Sequence, residues 1–267
     1  MAAAPKSAAA GVPLEALLSL AERLADASEA VIKRYWRTRL EVDQKADLSP
    51  VTAADRDSEA AMRRLINEAW PDHGILGEEY GPERTEAAYV WVLDPIDGTK
   101  SFITGKPLFG TLIGLLHEGR TLLGVINMPA LGERWVGAAG RGASFNGARV
   151  SPRACASLAE AAIFSTSPYM FAPADRAAYE RVREAAKLAL FGTDCYAYGL
   201  VASGTADLVI EGGLGTYDFI GPAAVIEAAG GIATDWQGRP LGLGSDGRVV
   251  AAGDRRCHEA ALALLGA

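Results

Sequence analysis

The stretch from Trp91 to Phe102 limits what this chain can fold into more than any other. Val90-Trp91-Val92-Leu93 is an apolar run that suits a buried β-strand, and Pro95, which cannot donate to a ladder, stops it at Asp94. Asp97 follows three residues after Asp94, and Gly98-Thr99-Lys100-Ser101 reads as the opening of a helix, whose free N–H groups attract anions. Two carboxylates therefore flank a seat for phosphate. Ionised and about 4 Å apart, they would repel by roughly 4 kcal/mol at an effective dielectric near 20, and a cation is the natural resolution.

The same dodecamer also reads as an ordinary strand-to-turn connection with two solvated acids. A third reading is an aspartyl-phosphate route of the haloacid-dehalogenase kind, in which a single residue separates the nucleophilic Asp from the acid Asp. Here Pro95 and Ile96 both intervene, a spacing that favours two metal ligands.

With 267 residues, 49% hydrophobic and 22% charged, the chain can bury a large core in one big domain or in two tightly joined lobes. A formal charge of −7 disfavours nucleic acid or an anionic membrane as the main partner, so a phosphate-bearing substrate needs local metal charge. Cys155, Cys195 and Cys257 show neither C-x-x-C nor zinc-ligand spacing, which suits a reducing, cytoplasmic setting and a structural or incidental role. No uncharged apolar run is as long as a membrane span, and MAAAPKSAAAG lacks the apolar stretch of a secretory signal. Residues 1–12 are expected to be a mobile tail.

In chain order, apolar residues at Leu17, Leu18, Ala21, Leu24, Ala25, Ser28, Val31, Ile32 and Tyr35 mark one face of a helix that starts at Leu14 and ends in the charged stretch Arg37 to Lys45. Pro50 and Thr52 open a second helix with inner face Ala54, Ala61, Met62, Leu65, Ile66 and Ala69, which leaves Lys45 on the preceding loop. Ile75-Leu76 is a short apolar segment running into Gly77-Glu78-Glu79, one strand before Asp94. Residues 110–150 read as an antiparallel meander, with turns at Glu118-Gly119 and Asn146-Gly147. The later half alternates: a strand at Ala162 to Ser165, a helix from about Asp175 to Leu188, a short helix in CYAYGLVASG and a strand from Ala206 to Ile210 that ends in Glu211. Tyr217-Asp218-Phe219 then starts a helix over Pro222 to Ala229, strands follow at Ile232 to Asp235 and Val249 to Ala252, and Asp254 caps a final helix through Leu265.

Collecting acids at element ends gives Glu78, Asp94, Asp97, Glu211 and Asp218, while His73, His117 and His258 sit in no such cluster. An all-oxygen site of carboxylates, a backbone carbonyl such as that of Ile96, and water suits Mg²⁺. Metal-ion pairs about 3.5–4 Å apart recur in phosphatases, one activating water and the other steadying the leaving oxygen.

These residues resemble the inositol monophosphatase family. Lys45 with SPVTAAD ending at Asp55, GEE at 77–79, DPIDGT at 94–99, and the late YD followed by the helix to EAAGG stand in the family order, and the resemblance spans about Leu14 to Leu265. It implies an α/β layered sandwich of αβαβα architecture with a largely antiparallel N-terminal sheet. Residues 13–150 would form a metal-binding N-terminal lobe, and residues 151–267 a C-terminal lobe completing the active site. It also implies a homodimer that hydrolyses phosphate monoesters with two or three Mg²⁺ ions and is inhibited by Li⁺. By position, Glu78, Asp94 and the Ile96 carbonyl would hold one metal, and Asp94, Asp97 and Asp218 the second. Glu78 and Thr99 would orient the attacking water, Asp55 would hydrogen-bond Thr99, the amides of Gly98 and Thr99 would hold phosphate, and Lys45 would lie on a metal-loop.

Within the family, DGTKSFITGKPLFGTLIGLLH, DCYAYGLVASGTADLVIE and YDF look most like histidinol-phosphate phosphatases, which implies a small phosphorylated substrate held also by Asp194 and Glu211. That group often carries a Lys-Pro pair just before the YD, where this chain has Gly213-Leu214-Gly215-Thr216. Asp194 also reads as a helix cap and Glu211 as a structural strand-end acid. A broad-specificity inositol or sugar phosphatase is the alternative among enzymes. A non-catalytic interaction protein is the alternative outside them, although every ligand position is filled.

Overall fold

The computed structural model describes residues 12–39, 41–44 and 50–267, so Lys45 and nearly all of the expected tail lie outside the described residues. The elements in order are α1 (Leu14–Tyr35), β1 (Asp43–Gln44), β2 (Pro50–Val51), α2 (Ala53–Ala69), β3 (Gly74–Gly77), β4 (Gly81–Glu83), β5 (Tyr89–Asp97) and α3 (Thr99–Ile103). A meander follows: β6 (Gly110–His117), β7 (Arg120–Met128), β8 (Glu133–Ala138), β9 (Gly142–Phe145) and β10 (Ala148–Val150). The remainder comprises β11 (Ala162–Ser165), α4 (Pro173–Ala185), β12 (Leu188–Phe191), α5 (Tyr196–Ala202), β13 (Leu208–Glu211), α6 (Thr216–Ala229), β14 (Ile232–Thr234), β15 (Val249–Ala252) and α7 (Arg255–Leu265).

The first sheet has eight strands in the order β10-β9-β8-β7-β6-β5-β3-β4, antiparallel except for the β3–β5 pair. The second has five, β12-β11-β13-β15-β14, with β11 parallel to both neighbours and β15 antiparallel to both of its own. Side-chain alternation explains how the sheets stack. On one face of the first sheet, Trp91, Leu93, Ile113 and Val125 pack against Leu17, Leu24, Met62 and Ile66 of α1 and α2. On the other, Val90, Val92, Leu112 and Ile126 share a core with Phe219, Ile220, Val225 and Ile226 of α6 and with Val209, Val249 and Ala251 of the second sheet. Ile163, Leu208, Ile210 and Val250 cover the far side of that sheet against Tyr179 and Val182 of α4 and Cys257 and Ala261 of α7. The result is the expected αβαβα sandwich. It also explains why Val90–Leu93 is apolar throughout, since β5 is buried on both faces.

Three boundaries and one helix face differ from the reading of the sequence. β5 does not stop at Asp94 but runs to Asp97. Its partner β6 pairs Leu112 with Asp94 and Gly110 with Asp97, so Pro95 and Ile96 face only Thr111, and the missing proline N–H falls inside a bulge. Helix α4 ends at Ala185, and Leu188–Phe191 is a strand that finds its hydrogen bonds along β11. Helix α6 begins at Thr216 and carries Pro222 inside it. On α2, Ala69 is exposed, and the buried face instead includes Asp55, Ser58 and Glu59, because its first turns cover the segment after β3 and not an apolar layer. Among the described residues no helix is long and apolar enough to cross a membrane.

A row of glycines fixes how close α6 comes to the first sheet. Gly114, Gly124 and Gly137 stand opposite one another on β6, β7 and β8. A Cβ on Gly124 would lie 2.0 Å from the Gly221 carbonyl oxygen, one on Gly114 would lie 2.9 Å from the Gly221 nitrogen, and one on Gly137 would lie 2.8 Å from Val225 Cα. These are backbone atoms of α6, which cannot turn aside as a side chain can. Gly124→Ala is therefore expected to destabilise the fold by about 2–3 kcal/mol, a drop of roughly 5–10 °C in Tm on thermal denaturation, whereas an unchanged Tm would mean that α6 is free to lift.

Candidate active site

The bulge at Pro95 decides the geometry of the two central acids. In a regular strand, residues three apart point to opposite faces; the extra residue in the bulge brings Asp94 and Asp97 toward the same side. Pro95 is held by its carbonyl, which accepts from Thr111 Oγ1 at 2.9 Å, and Thr111 Oγ1 in turn lies 2.8 Å from Ser28 Oγ on α1. Ile96 is buried with Ile32, Ala54, Phe102 and Phe109, a small core capped by the Trp36 ring. Gly98, with φ of 79°, turns the chain from β5 into α3. A left-handed residue is needed there, and a Cβ would come within 3.2 Å of the Asp194 carboxylate.

Asp218 arrives from α6. Its Oδ2 accepts from the Gly215 N–H at 2.7 Å, a first-turn contact that fixes the carboxylate at the start of the helix. Asp94, Asp97 and Asp218 then offer carboxylate oxygens all within 4.8 Å of one another. Asp97 Oδ2 accepts from the Cys195 N–H at 2.7 Å, while Asp94 Oδ1 is buried and has no hydrogen-bond partner among the described residues. Burial, together with the charges of Glu78, Asp97 and Asp218, holds the Asp94 carboxyl well above its ordinary range. Burial and the charges of Asp194 and Asp218 do the same for Asp97, and burial followed by the Glu78 charge pushes Asp218 up to about 7. An orphaned buried oxygen amid mutually repelling carboxylates is an oxygen donor set suited to a hard divalent cation.

Glu78 follows β3 directly, and its N–H donates to the Leu93 carbonyl at 3.1 Å. That bond ties it to β5 beside Asp94, whose carboxyl its side chain reaches. Thr99 Oγ1 donates to the Ile96 carbonyl at 3.1 Å. The expected hydrogen bond between Asp55 and Thr99 is absent. Asp55 instead serves the capping box of α2, accepting from the Thr52 N–H at 2.8 Å and the Thr52 hydroxyl at 2.6 Å, and its Oδ1 is left buried without a partner among the described residues. The third residue of a helix is where a carboxylate reaches back to the cap, and that local bond holds Asp55.

Beside the three aspartates lies a recess of ≈ 80 Å³ lined by Asp97, Thr166, Asp194, Tyr198, Glu211 and Asp218, together with Cys195 and Leu214. Asp194 has φ of 47° and its Oδ2 accepts from Ser101 Oγ at 3.0 Å; it is not a side-chain cap of α5. Burial raises the Asp194 carboxyl, against the Ser101 hydrogen bond and the charges of Lys106 and Lys100. Glu211 is buried at the end of β13, where Oε1 accepts from the N–H and hydroxyl of Thr166 and Oε2 from Tyr198 OH at 2.9 Å. Burial pushes it up to about 7 despite those three donors. Thr166, Tyr198 and the Cys195 N–H had no role in the reading of the sequence. Tyr198 stands within DCYAYGLVASG, and only its fold against β13 shows what its hydroxyl holds. The three histidines stay away, His73 stacked with Tyr89, His117 with Tyr89 and His258 against Thr234.

Comparison with known proteins gives the family of the chain. The bifunctional phosphatase IMPL2 of Arabidopsis thaliana, a chloroplastic protein, is 49% identical over 94% of this chain and 75% of its own length. The histidinol-phosphatase of Chlorobaculum parvum is 37% identical over 89% of this chain and 91% of its own. The solved structure of an inositol monophosphatase from Zymomonas mobilis superposes with a TM-score of 0.88 at 44% identity, covering 96% of this chain and all (100%) of that one. The match to the inositol monophosphatase family runs over residues 14–267, from the first helix through the last, and this chain belongs to that family of phosphatases.

Proposed function

We propose that this protein is a Mg²⁺-dependent phosphatase whose preferred substrate is L-histidinol phosphate. The observation that carries the substrate is the recess beside the three aspartates, whose charged lining among the described residues consists of Asp97, Asp194, Glu211 and Asp218 with no Lys, Arg or His. Histidinol bears an ammonium near its phosphate ester, and carboxylates gain more from that charge than from a neutral polyol: roughly 1.5–3 kcal/mol for a charge-assisted hydrogen bond against about 1 for a neutral one. Relatives named histidinol-phosphatase at 33–37% identity support this reading. The 44% identity to a protein named inositol monophosphatase favours an inositol phosphate as the second reading.

The carboxylates of Asp94, Asp97 and Asp218 would hold Mg²⁺, with Glu78 and the Ile96 carbonyl completing a second position around Asp94. Bound Mg²⁺ supplies an activated water and neutralises the phosphate charge. The protein's own groups do the rest. Glu78 and the Thr99 hydroxyl would orient the attacking water, and the N–H groups of Gly98 and Thr99 would receive the phosphate oxygens. Asp194 and Glu211 would accept from the ammonium, Glu211 held in place by Thr166 and Tyr198.

Asp94→Asn tests the metal assignment. It removes the charge shared by both positions, and phosphate release measured across a Mg²⁺ titration is expected to fall at least ~100-fold. Near-wild-type turnover would overturn it.

Glu211 gives the substrate test a pH signature. Its folded-state value of about 7 lies above the ordinary carboxylate range, so its contribution to stability is present at low pH and is lost as pH rises through about 7. The same ionisation creates the charge that pairs with ammonium. The ratio of kcat/KM for histidinol phosphate to that for a neutral sugar phosphate is expected to rise between about pH 6 and pH 8 by roughly tenfold more in the wild type than in Glu211→Gln. The ionisations of the substrates themselves, the histidinol imidazole included, are common to wild type and variant and cancel in that comparison. An equal change in the two, or outright preference for inositol phosphate, would sink the histidinol reading.

A further inference from the structure

Glu59, on α2, is fully buried and makes no contact with the recess described above, yet both of its oxygens are spent on the segment that carries Glu78. Glu59 Oε2 accepts from the Glu79 N–H at 2.7 Å and Oε1 from the Tyr80 N–H at 3.2 Å. Oε1 also accepts from Arg63 Nε at 2.7 Å, one turn further along the helix. Arg63 continues across the segment: its Nη2 donates to the Gly81 carbonyl and its Nη1 to Glu83 Oε2 at 3.3 Å, with the guanidinium 5.9 Å from the Tyr80 ring centre. Gly77 completes the fit, since a Cβ there would lie 1.9 Å from Glu59 Oε1. Glu78 is thus fixed from both sides, by its own N–H on the Leu93 carbonyl and by the next two N–H groups on Glu59.

A buried ion pair is a poor way to add stability, because desolvating both charges offsets most of their attraction, and apolar residues of similar size often do as well. Here the pair's hydrogen bonds converge on three successive backbone positions, 79–81, directly after Glu78, and what such bonds determine is conformation. We propose that Glu59 and Arg63 act as positioning residues, a clamp that sets where the Glu78 carboxylate stands relative to Asp94 and thereby tunes cation affinity at that position. The inference rests on the reading of Glu78 as a metal ligand. Neither residue touches substrate or the reacting atoms.

Glu59→Gln keeps the volume but turns one oxygen into an N–H₂ group facing the backbone N–H groups. Arg63→Met keeps the stem and removes the forked donor, and it serves if the first variant folds poorly. The measurements are Mg²⁺ affinity of the purified full chain by titration calorimetry, amide hydrogen exchange at Glu79 and Tyr80 without Mg²⁺, and Tm, each beside Glu78→Gln. The clamp requires about a tenfold weaker Mg²⁺ Kd in both clamp variants and at least tenfold faster exchange at the two amides, with kcat at saturating Mg²⁺ within about threefold of wild type. A lowered Tm with unchanged Mg²⁺ Kd would mean a purely structural pair and would overturn the proposal. If Glu78→Gln itself leaves Mg²⁺ affinity unchanged, the ligand reading fails and the clamp falls with it; if Glu78→Gln weakens binding and the clamp variants do not, the clamp alone is wrong.

Discussion

The close approach of α6 to the first sheet is the contact on which the rest of the molecule depends. Because Gly114, Gly124 and Gly137 present no side chains to it, the helix backbone lies directly on three strands, and Phe219, Ile220, Val225 and Ile226 reach into the core shared by both sheets. One helix therefore holds the two sheets together from between them. It also carries Asp218 at its start, so the packing that closes the core brings that carboxylate to Asp94 and Asp97.

Against that stabilising contact stands the electrostatics of the site. Buried like charges disfavour ionisation, and the raised values of Asp94, Asp97 and Asp218 express a protein folded around groups that repel one another. The fold tolerates this because each acid is pinned by a backbone amide or by its own strand: Asp97 by Cys195, Asp218 by Gly215, Asp94 by the ladder of β5 and β6. A cation binding there relieves repulsion without rearranging the chain, which is what pre-organisation requires. Chain segments far apart in sequence thus converge on one charge problem, and α2 adds the Glu59–Arg63 pair behind Glu78.

The recess next to the aspartates differs in kind. Its acids are not orphaned: Glu211 has three donors and Asp194 has Ser101. Such groups are oriented in advance and retain lone pairs for a ligand, the arrangement that gives specificity in place of cation affinity. The glycines and Leu214 that precede Asp218, where histidinol-phosphate phosphatases often carry Lys-Pro, add no charge to this rim.

Much of this was legible in the residues alone. The apolar run into Asp94, the spacing to Asp97, the acids at 78 and 218 and the tight-turn signals at Glu118-Gly119 and Asn146-Gly147 are local facts, and local backbone chemistry dictates what they become: positive φ at all four turn positions, strands on either side, a helix start at Thr99. Other features had no local signature. Pro95 reads as a stop in isolation, and only pairing with β6 makes it a bulge inside a longer strand. Asp55 reads equally as a partner for the cap beside it or for a threonine far along the chain, and the folded helix has it bonded to the cap. Glu59 looks like one more solvated helix acid until α2 is laid over residues 79 and 80, and the helix read as far as Leu188 ends at Ala185 because β11 offers Leu188–Phe191 a ladder. The sequence by itself determined which elements form and which acids end them, since these follow from side-chain period and backbone conformation over a few residues. Only the tertiary structure decided which acids meet and what holds them, because that depends on distances between segments that share no neighbours in the chain.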